Sequence, residues 1–413
     1  MIDSNHSQKL AGRPGTGCFL ALLLLALDGQ PAGAQLLPIS GVNTFVKGAN
    51  LAWLDGQYDH DIGINPLHPQ WGCYYNATHM NQYLGDMHTM GITVVRLWLN
   101  ENKQGLLLDS HGNVTGLDST FLNNLDNIIQ IATQDGIFLY LTLNQGDADW
   151  VTNTTQQASY INNAVTPIAA RYAGNPQIFA YDVMNEIDGV VGAPDGNHGS
   201  GATWAQAQAY ISATVSAIHS SDPGRLATCS TGWNQWYNLS HFKGLGLDFY
   251  DYHDYEDTPS FPTAASLDMD KPIYIGECGQ ATTNWNDSIQ STCELAALNS
   301  AWSGGYAGVG IWDYEFPGSP DIRSMVNTNG SWRPVCYAIQ NWIPGGGVWV
   351  DFSVVGPGAG TFGDPYNTLA LGIANAPANG TVAIKGSSST LATPTITKPL
   401  KIDAWGGQVS IGR

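Results

Sequence analysis

Eight short runs of apolar, β-branched and aromatic residues recur between Val46 and Trp342, each separated from the next by a longer stretch of helical character. The runs read as strands cover residues 46–51, 93–99, 137–143, 178–184, 226–230, 249–253, 273–276 and 309–312. Between them, residues 121–133, 160–172, 204–219 and 288–300 carry helical patterning. Asp118-Ser119 and Asn286-Asp287 stand where N-caps are needed, and Gly91 and Gly136 where a helix hands over to the next strand. Such an alternation over roughly 300 residues predicts an α/β chain of the (β/α)8 TIM barrel kind. A doubly wound open sheet shares the alternation and competes with it. No Gly-x-Gly-x-x-Gly follows the first run, which weakens the dinucleotide-binding version of that competitor.

The pattern stops at Trp342. Pro344-Gly345-Gly346-Gly347 reads as a boundary, and the segment beyond it is rich in Gly, Ser, Thr and Ala, with β-prone pieces at 381–385 and 399–403. Through Asp364-Pro365-Tyr366 and Gly380-Thr381-Val382-Ala383-Ile384 this tail resembles the opening of right-handed parallel β-helix proteins of the pectin-lyase type. A small β appendage or a truncated module accommodates the same residues, and so short a stretch makes only two or three rungs.

At the other end, Lys9 and Arg13 precede the apolar run 18–27, and Ala32-Gly33-Ala34 offers a small-residue cleavage site. Residues 1–34 therefore read as a secretory signal peptide. Residues 35–345 form the barrel domain and 346–413 the appendage. Cys18 opens the apolar run instead of following it, which argues against a lipid anchor. Export leaves five cysteines (Cys73, Cys229, Cys278, Cys293 and Cys336), too few for a disulfide scaffold and odd in number. One bridge is allowed, and the sequence does not choose it. Asn76-Ala77-Thr78 and Asn153-Thr154-Thr155 are glycosylation sequons by pattern, in a chain rich in Asn.

Charge narrows the partners. There are 34 acidic and 15 basic residues, a formal balance of −19. Nucleic acid and anionic membrane surfaces require a Lys/Arg footprint, so neither is an expected partner, whereas a neutral polymer is compatible. A monomer is expected. Glutamate is scarce: Glu101, Glu186, Glu256, Glu277, Glu294 and Glu315 are all there are.

In a (β/α)8 barrel functional side chains sit at the C-terminal strand ends. The fourth run ends in Asn185-Glu186 and the seventh in Glu277; Arg96 lies in the second, Asn144 follows the third, His253 and Tyr255 follow the sixth, and Trp312 closes the eighth. Two carboxylates over one barrel mouth suit glycosidic cleavage, in which one protonates the leaving oxygen while the other attacks or activates water. Bland roles compete at each position. Glu101, Glu256 and Glu315 also lie near strand ends; Arg96, among apolar residues, needs a buried carboxylate partner in any case; His253 and Trp312 could simply be packed.

Taken together, Val183-Met184-Asn185-Glu186, Ile273-Tyr274-Ile275-Gly276-Glu277, Arg96, His253-Asp254-Tyr255 and Trp312 resemble the conserved positions of clan A glycoside hydrolases, most closely glycoside hydrolase family 5, the cellulase and mannanase family. The resemblance spans residues 44–345. It implies Glu186 as general acid and then base, and Glu277 as nucleophile of a retaining double displacement. It also implies Asn185 on the substrate 2-hydroxyl, Arg96 and Tyr255 holding Glu277 ionised, His253 on sugar hydroxyls or on Glu186, and Trp312 under the cleaved ring. The acid should then have a raised pKa and the two carboxyl groups should stand about 5–5.5 Å apart.

Asn144 departs from the His that many family 5 cellulases carry at that place and is more like some mannanases. Cys278, directly after the nucleophile position, has no role on this reading. Trp53, Trp71, Trp150, Trp233, Trp236 and Trp285 are candidate sugar platforms, with packing an equal alternative. The resulting expectation is a secreted, retaining, endo-acting β-glycosidase on a β-1,4-linked neutral polysaccharide, mannan or glucan. No metal or organic cofactor is expected, because the two carboxylates carry the chemistry; 28 Asp would allow a structural Ca²⁺, but there is no EF-hand-like spacing. The alternatives are a non-catalytic carbohydrate-binding barrel, a polysaccharide lyase centred on the tail, and a transglycosylase using the same two Glu.

Overall fold

The computed structural model describes residues 35–192, 201–232, 236–256, 259–279, 286–314, 323–386, 388–405 and 408–412. The leader 1–34, Trp233, Trp285 and Glu315 lie outside the described residues.

Eight strands make one parallel sheet: β1 (Val46–Asn50), β2 (Val94–Trp98), β3 (Phe138–Thr142), β4 (Ile178–Asp182), β5 (Leu226–Thr228 with Ser230–Thr231), β6 (Tyr250–Asp254), β7 (Ile273–Cys278) and β8 (Gly308–Ile311). β1 pairs with both β2 and β8, and the two pieces of β5, broken at Cys229, pair with β4 and β6. The sheet thereby closes on itself as a (β/α)8 barrel, and the open doubly wound alternative falls away. All eight sequence-derived strands are present, with ends displaced by one or two residues.

The outer layer holds α1 (Ala77–Thr89), α2 (Ser119–Asp135), α3 (Thr154–Tyr160, continuing through a π turn into Thr166–Arg171), α4 (Trp204–Ser221), α5 (Asp287–Gly304) and α6 (Pro334–Asn341). Each lays an apolar stripe on the strands: Leu84, Leu125, Ile168, Ile211, Leu298 and Ile339 are completely buried. The expected caps are in place. Asp118 accepts from the N–H groups of Thr120 and Phe121, Asn286 from that of Ile289, and Gly136 closes α2 at φ 68°. The two sequons are caps as well, with Asn76 and Asn153 each accepting two N–H bonds at the start of α1 and α3. Where barrel helices would follow β5 and β6, the described residues form only 3₁₀ turns, Trp236–Phe242 and Ala264–Leu267.

The lower barrel is filled by Val46, Val94, Tyr140, Phe249 and Tyr274, and a hairpin (Leu37–Ile39 with Val42–Thr44) plugs that end with Leu37 and Ile39. The tail adds β9 (Gly347–Val350), β10 (Thr381–Lys385), β11 (Ser388–Thr390), β12 (Lys401–Trp405) and β13 (Val409–Ile411). β9, β10 and β12 form one parallel sheet and β11 and β13 another, so successive coils of chain stack as rungs over a small core of Val350, Ile373, Val382 and Ile384. The rungs abut the closed end of the barrel: Phe362 N donates to Asn341 Oδ1 at 2.8 Å, and the Trp405 ring lies over His88 with centroids 5.6 Å apart. None of the five cysteines at 73, 229, 278, 293 and 336 is disulfide-bonded. Among the described residues no helix is long and apolar enough to cross a membrane.

Candidate active site

Arg96 is the hub of the mouth. Its side chain projects into the barrel with 2% exposure, and a buried guanidinium requires anions. It has two, Glu277 Oε1 at 2.5 Å and Asp182 Oδ2 at 2.6 Å. It also donates to Asn185 Oδ1 at 2.8 Å, and its guanidinium lies over the Trp98 ring at 4.2 Å. With the Asn185 oxygen committed, the amide NH₂ remains to donate. The partner that the sequence demanded for Arg96 is therefore double, and Asp182 is the half that sequence reasoning missed.

Glu277 owes its aim to a bulge. β6 and β7 run in register as far as Tyr252 opposite Ile275; then His253 stands opposite Glu277 and Gly276 is skipped. One extra residue turns the following side chain inward. A Cβ on residue 276 would come within 2.0 Å of Asp251 Oδ1, so only glycine leaves room for that carboxylate below. Glu277 Oε2 accepts from Tyr255 OH at 2.5 Å.

Glu186 lies just beyond β4 with a left-handed backbone, φ 43° and ψ 57°, a costly conformation for a non-glycine residue and one met often at functional sites. Its N–H donates to Ser230 Oγ at 3.0 Å. A Cβ on Gly232 would sit 2.4 Å from Glu186 Oε1, which fixes glycine on β5's continuation.

His253 links the carboxylates. Its Nδ1 is 2.8 Å from Glu186 Oε1 and 3.5 Å from Glu277 Oε2, and one ligating atom from each of the three residues lies within 4.8 Å of the others. Behind the ring, Nε2 faces Asp251 Oδ1 at 3.7 Å; both atoms are buried and have no closer hydrogen-bond partner. The other Asp251 oxygen accepts from Tyr140 OH at 2.5 Å. Burial alone would push the imidazole down, but Glu277, Glu186 and Asp251 carry it up to about 9. Burial likewise would raise Glu186, yet the His253 hydrogen bond and the His253 and Arg96 charges outweigh it and hold the carboxyl below its usual range. That reverses the raised value expected for an acid at this position. In the free protein the proton rests on the imidazole side of the 2.8 Å hydrogen bond.

Trp312 meets Trp98 edge-on at 5.6 Å and Trp53 at 6.1 Å, so three indoles frame the mouth on the β8–β1–β2 side. Asn144 does not join the constellation. It is buried, and its amide oxygen accepts from the N–H groups of Gly146 and Asp147 at 2.9 Å, which ties it to its own loop. Glu101 is a buried strut: it accepts from Trp53 Nε1 and from Asp59 N, fastening the loop after β1 to the loop after β2. Burial and the neighbouring Asp61 raise its pKa well above the carboxylate range. Glu256 lies half-buried beyond β6, its N–H donating to Asp254. Trp150 is core, stacked on Tyr160 at 3.7 Å, and Trp236 stacks on Tyr252 at 3.8 Å. Cys278 finds its partner behind β7, where Sγ donates to Glu294 Oε2 at 3.4 Å.

Residues 55–313 match the family described as cellulase (glycosyl hydrolase family 5). The chain belongs to glycosyl hydrolase family 5. It is accordingly an O-glycosyl hydrolase. Curated relatives include a mannan endo-1,4-beta-mannosidase of Cryptopygus antarcticus, 27% identical over 357 residues that span 72% of this chain and 90% of that one. A protein of the same name from Mytilus edulis is 26% identical, spanning 71% and 92%. Among solved structures, the beta-1,4-D-mannanase of Cryptopygus antarcticus superposes with a TM-score of 0.56 at 24% identity, covering 74% of this chain and 93% of that one. The beta-1,4-mannanase of the sea hare Aplysia kurodai gives 0.55 at 20%, covering 73% and 98%. The structural matches agree with the barrel described above.

Proposed function

We propose that this family 5 member is a secreted, retaining endo-β-1,4-mannanase with Glu186 as acid/base and Glu277 as nucleophile, and that residues 35–345 carry the activity after removal of 1–34. The observation that carries the mechanism is the approach of the two carboxylates to within 4.8 Å around His253. Inverting enzymes leave about 6.5–9.5 Å for a water between their carboxyls, whereas retaining ones stand at about 5–5.5 Å. The choice of mannan follows the names of the curated relatives and their near-complete coverage.

In the first step Glu277 attacks the anomeric carbon while Glu186 delivers a proton to the departing oxygen. The proton comes from His253 Nδ1 along the 2.8 Å hydrogen bond, drawn onto Glu186 as the sugar excludes water and desolvates the carboxylate. Glycosylation cancels the charge on Glu277, which favours ionised Glu186 and fits it to take a proton from the attacking water in the second step. Arg96 and Tyr255 hold Glu277 with one oxygen each, and the Asn185 amide is placed to donate to the 2-hydroxyl.

Reducing-sugar release by residues 35–413 on mannan, glucomannan, cellulose, mixed-linkage glucan, xyloglucan and xylan tests the reading, with Glu277→Gln run beside it. Release from mannan that disappears in the variant is expected. Preferred release from cellulose or xylan would overturn the substrate, and an active Glu277→Gln would overturn the nucleophile.

A further inference from the structure

Asp188 lies two residues after Glu186, on the 3₁₀ turn Ile187–Gly189, and is 1% exposed. The two displacement steps make no use of it, yet it is a buried carboxylate beside the acid/base. Its Oδ1 accepts from Gly232 N at 3.1 Å and its Oδ2 from Asn238 Nδ2 at 2.8 Å. Gly232 directly follows the second piece of β5, and Asn238 lies in the 3₁₀ turn Trp236–Phe242. One side chain therefore ties the turn that carries Glu186 to the end of β5 and to the turn beyond it.

The clasp bears on Glu186 through shape. A left-handed non-glycine residue persists only where its surroundings over-determine it. Glu186 N donates to Ser230 Oγ at 3.0 Å, Gly189 N donates to Glu186 O at 2.7 Å, and Asp188 adds the tie to Gly232 from within the same turn. Gly232 is the wall on which the carboxyl rests, since a Cβ there would stand 2.4 Å from Glu186 Oε1. The same oxygen faces His253 Nδ1 at 2.8 Å on its other side. Fixing Gly232 thus fixes the aim of the carboxyl.

It also bears on Glu186 through charge. Burial lifts the Asp188 carboxyl to about 6 against the hydrogen bonds it accepts, and the Glu186 charge adds to the rise. Repulsion between two carboxylates is mutual, so ionised Asp188 favours a proton on Glu186. That opposes His253 and Arg96, which keep the proton away in the free protein. We propose that Asp188 is a positioning residue for the acid/base: its clasp on Gly232 and Asn238 sets the Glu186 carboxyl and keeps a negative charge beside it, so that proton delivery to the departing oxygen depends on it. The proposal rests on Glu186 as acid/base and deepens that reading.

The test is kcat/KM for wild type, Asp188→Asn, Asp188→Ala and Glu186→Ala on aryl β-mannobiosides running from a dinitrophenyl to a methylphenyl leaving group. Aryl cellobiosides serve instead where the wild type prefers glucan. A good leaving group departs with little help from the acid, whereas a poor one needs its proton. Asp188→Asn keeps the shape: its amide oxygen can accept from Gly232, and the Asn238 amide can turn to offer its own buried, unpartnered oxygen. Its loss should stay within about twofold on the dinitrophenyl glycoside and reach about tenfold on the methylphenyl one, with KM little changed. Asp188→Ala, which removes the clasp as well, should lose about a hundredfold on the poor leaving group. Asp188→Asn carries the test where Asp188→Ala does not fold. A loss in Asp188→Asn that is absent, or equal for every leaving group, overturns the positioning role, and Glu186→Ala losing most on the poor leaving groups leaves the acid/base standing. A Glu186→Ala loss equal across the series overturns both.

Discussion

Asp251→Asn isolates the electrostatics of the His253–Glu186 pair. The side chain keeps its shape, fits the space left by Gly276, and can still accept from Tyr140, so the barrel should fold. What disappears is one negative charge 3.7 Å behind Nε2. Burial and its neighbours place Asp251 at about 6, so it is ionised wherever His253 titrates. The groups that face the ring are Glu186 from β4, Glu277 from β7 and Asp251 from its own strand; Arg96, Asp182 and Tyr140 bear on Asp251 from β2, β4 and β3. At an effective dielectric constant of about 20, opposite charges at that separation attract by about 4 kcal/mol, an upper bound because both charges are spread over several atoms. A fall of about one to two pKa units is the corresponding expectation. On the proposed mechanism the imidazolium proton is the one passed to Glu186, so its loss should set the basic limb of kcat/KM, near 9 in the wild type. The measurement is kcat/KM against pH for both proteins, with the imidazole followed by NMR in parallel. The basic limb of Asp251→Asn should move to between about 7 and 8. A limb that stays in place, with the plateau merely lowered, would refute the reasoning and reduce Asp251 to packing.

Two further outcomes follow from groups away from the scissile bond. Burial raises Glu294 to about 8 and its carboxylate neighbours raise His253 to about 9, so through these two groups the folded protein holds more protons than the unfolded chain between about pH 4.5 and 9, while burial lowers Lys47 to about 7 and opposes them above that pH. The His253 contribution is fully present below 6.5 and lost as pH rises through 9, while ionising Glu294 costs the folded state progressively above 4.5. Tm should therefore fall from pH 5 to pH 7, and Glu294→Gln should flatten that fall by several degrees, since one proton linked over two pH units corresponds to about 3 kcal/mol; an unchanged slope in calorimetry would contradict this. Deleting 346–413 should leave kcat on mannan within about twofold but lower Tm, because the rungs cover Ile343 and the His88 end of the barrel, far from the mouth. A large loss of kcat with an unchanged Tm would mean that the tail reaches the substrate.

Much of this arrangement could be read along the chain because barrel strands are buried on both faces and so appear as unbroken apolar runs. Caps were equally visible, as Asp118, Asn286 and Gly136 stand at their element ends. Among the described residues no α-helix follows β5 or β6, and there are local causes: Gly244 and Gly246 both take positive φ, and Pro259, Pro262 and Pro272 interrupt the span before β7. Asp182, Asp251 and Ser230 were invisible for a different reason. Each is one polar residue in a strand; closure of the barrel sets Asp182 and Ser230 against Arg96, 86 and 134 residues away, and Asp251, two residues from His253 on the same strand, against Tyr140, 111 residues away. The same closure explains the inverted expectation for Glu186, whose neighbour His253 is 67 residues distant in sequence and 2.8 Å in space. Asn144 shows the converse: its strand-end position suggested substrate, yet the adjacent N–H groups of its own loop claim the side chain.

The proposed double displacement through Glu277 can be tested directly. Incubating the enzyme with an activated 2-deoxy-2-fluoro-β-mannoside slows both steps, the second more, and should leave one covalently bound sugar per chain; peptide mapping by mass spectrometry should place it on Glu277, with Glu277→Gln unlabelled. A label on any other residue, or turnover without label that releases the inverted anomer, would contradict the assignment of nucleophile and mechanism together.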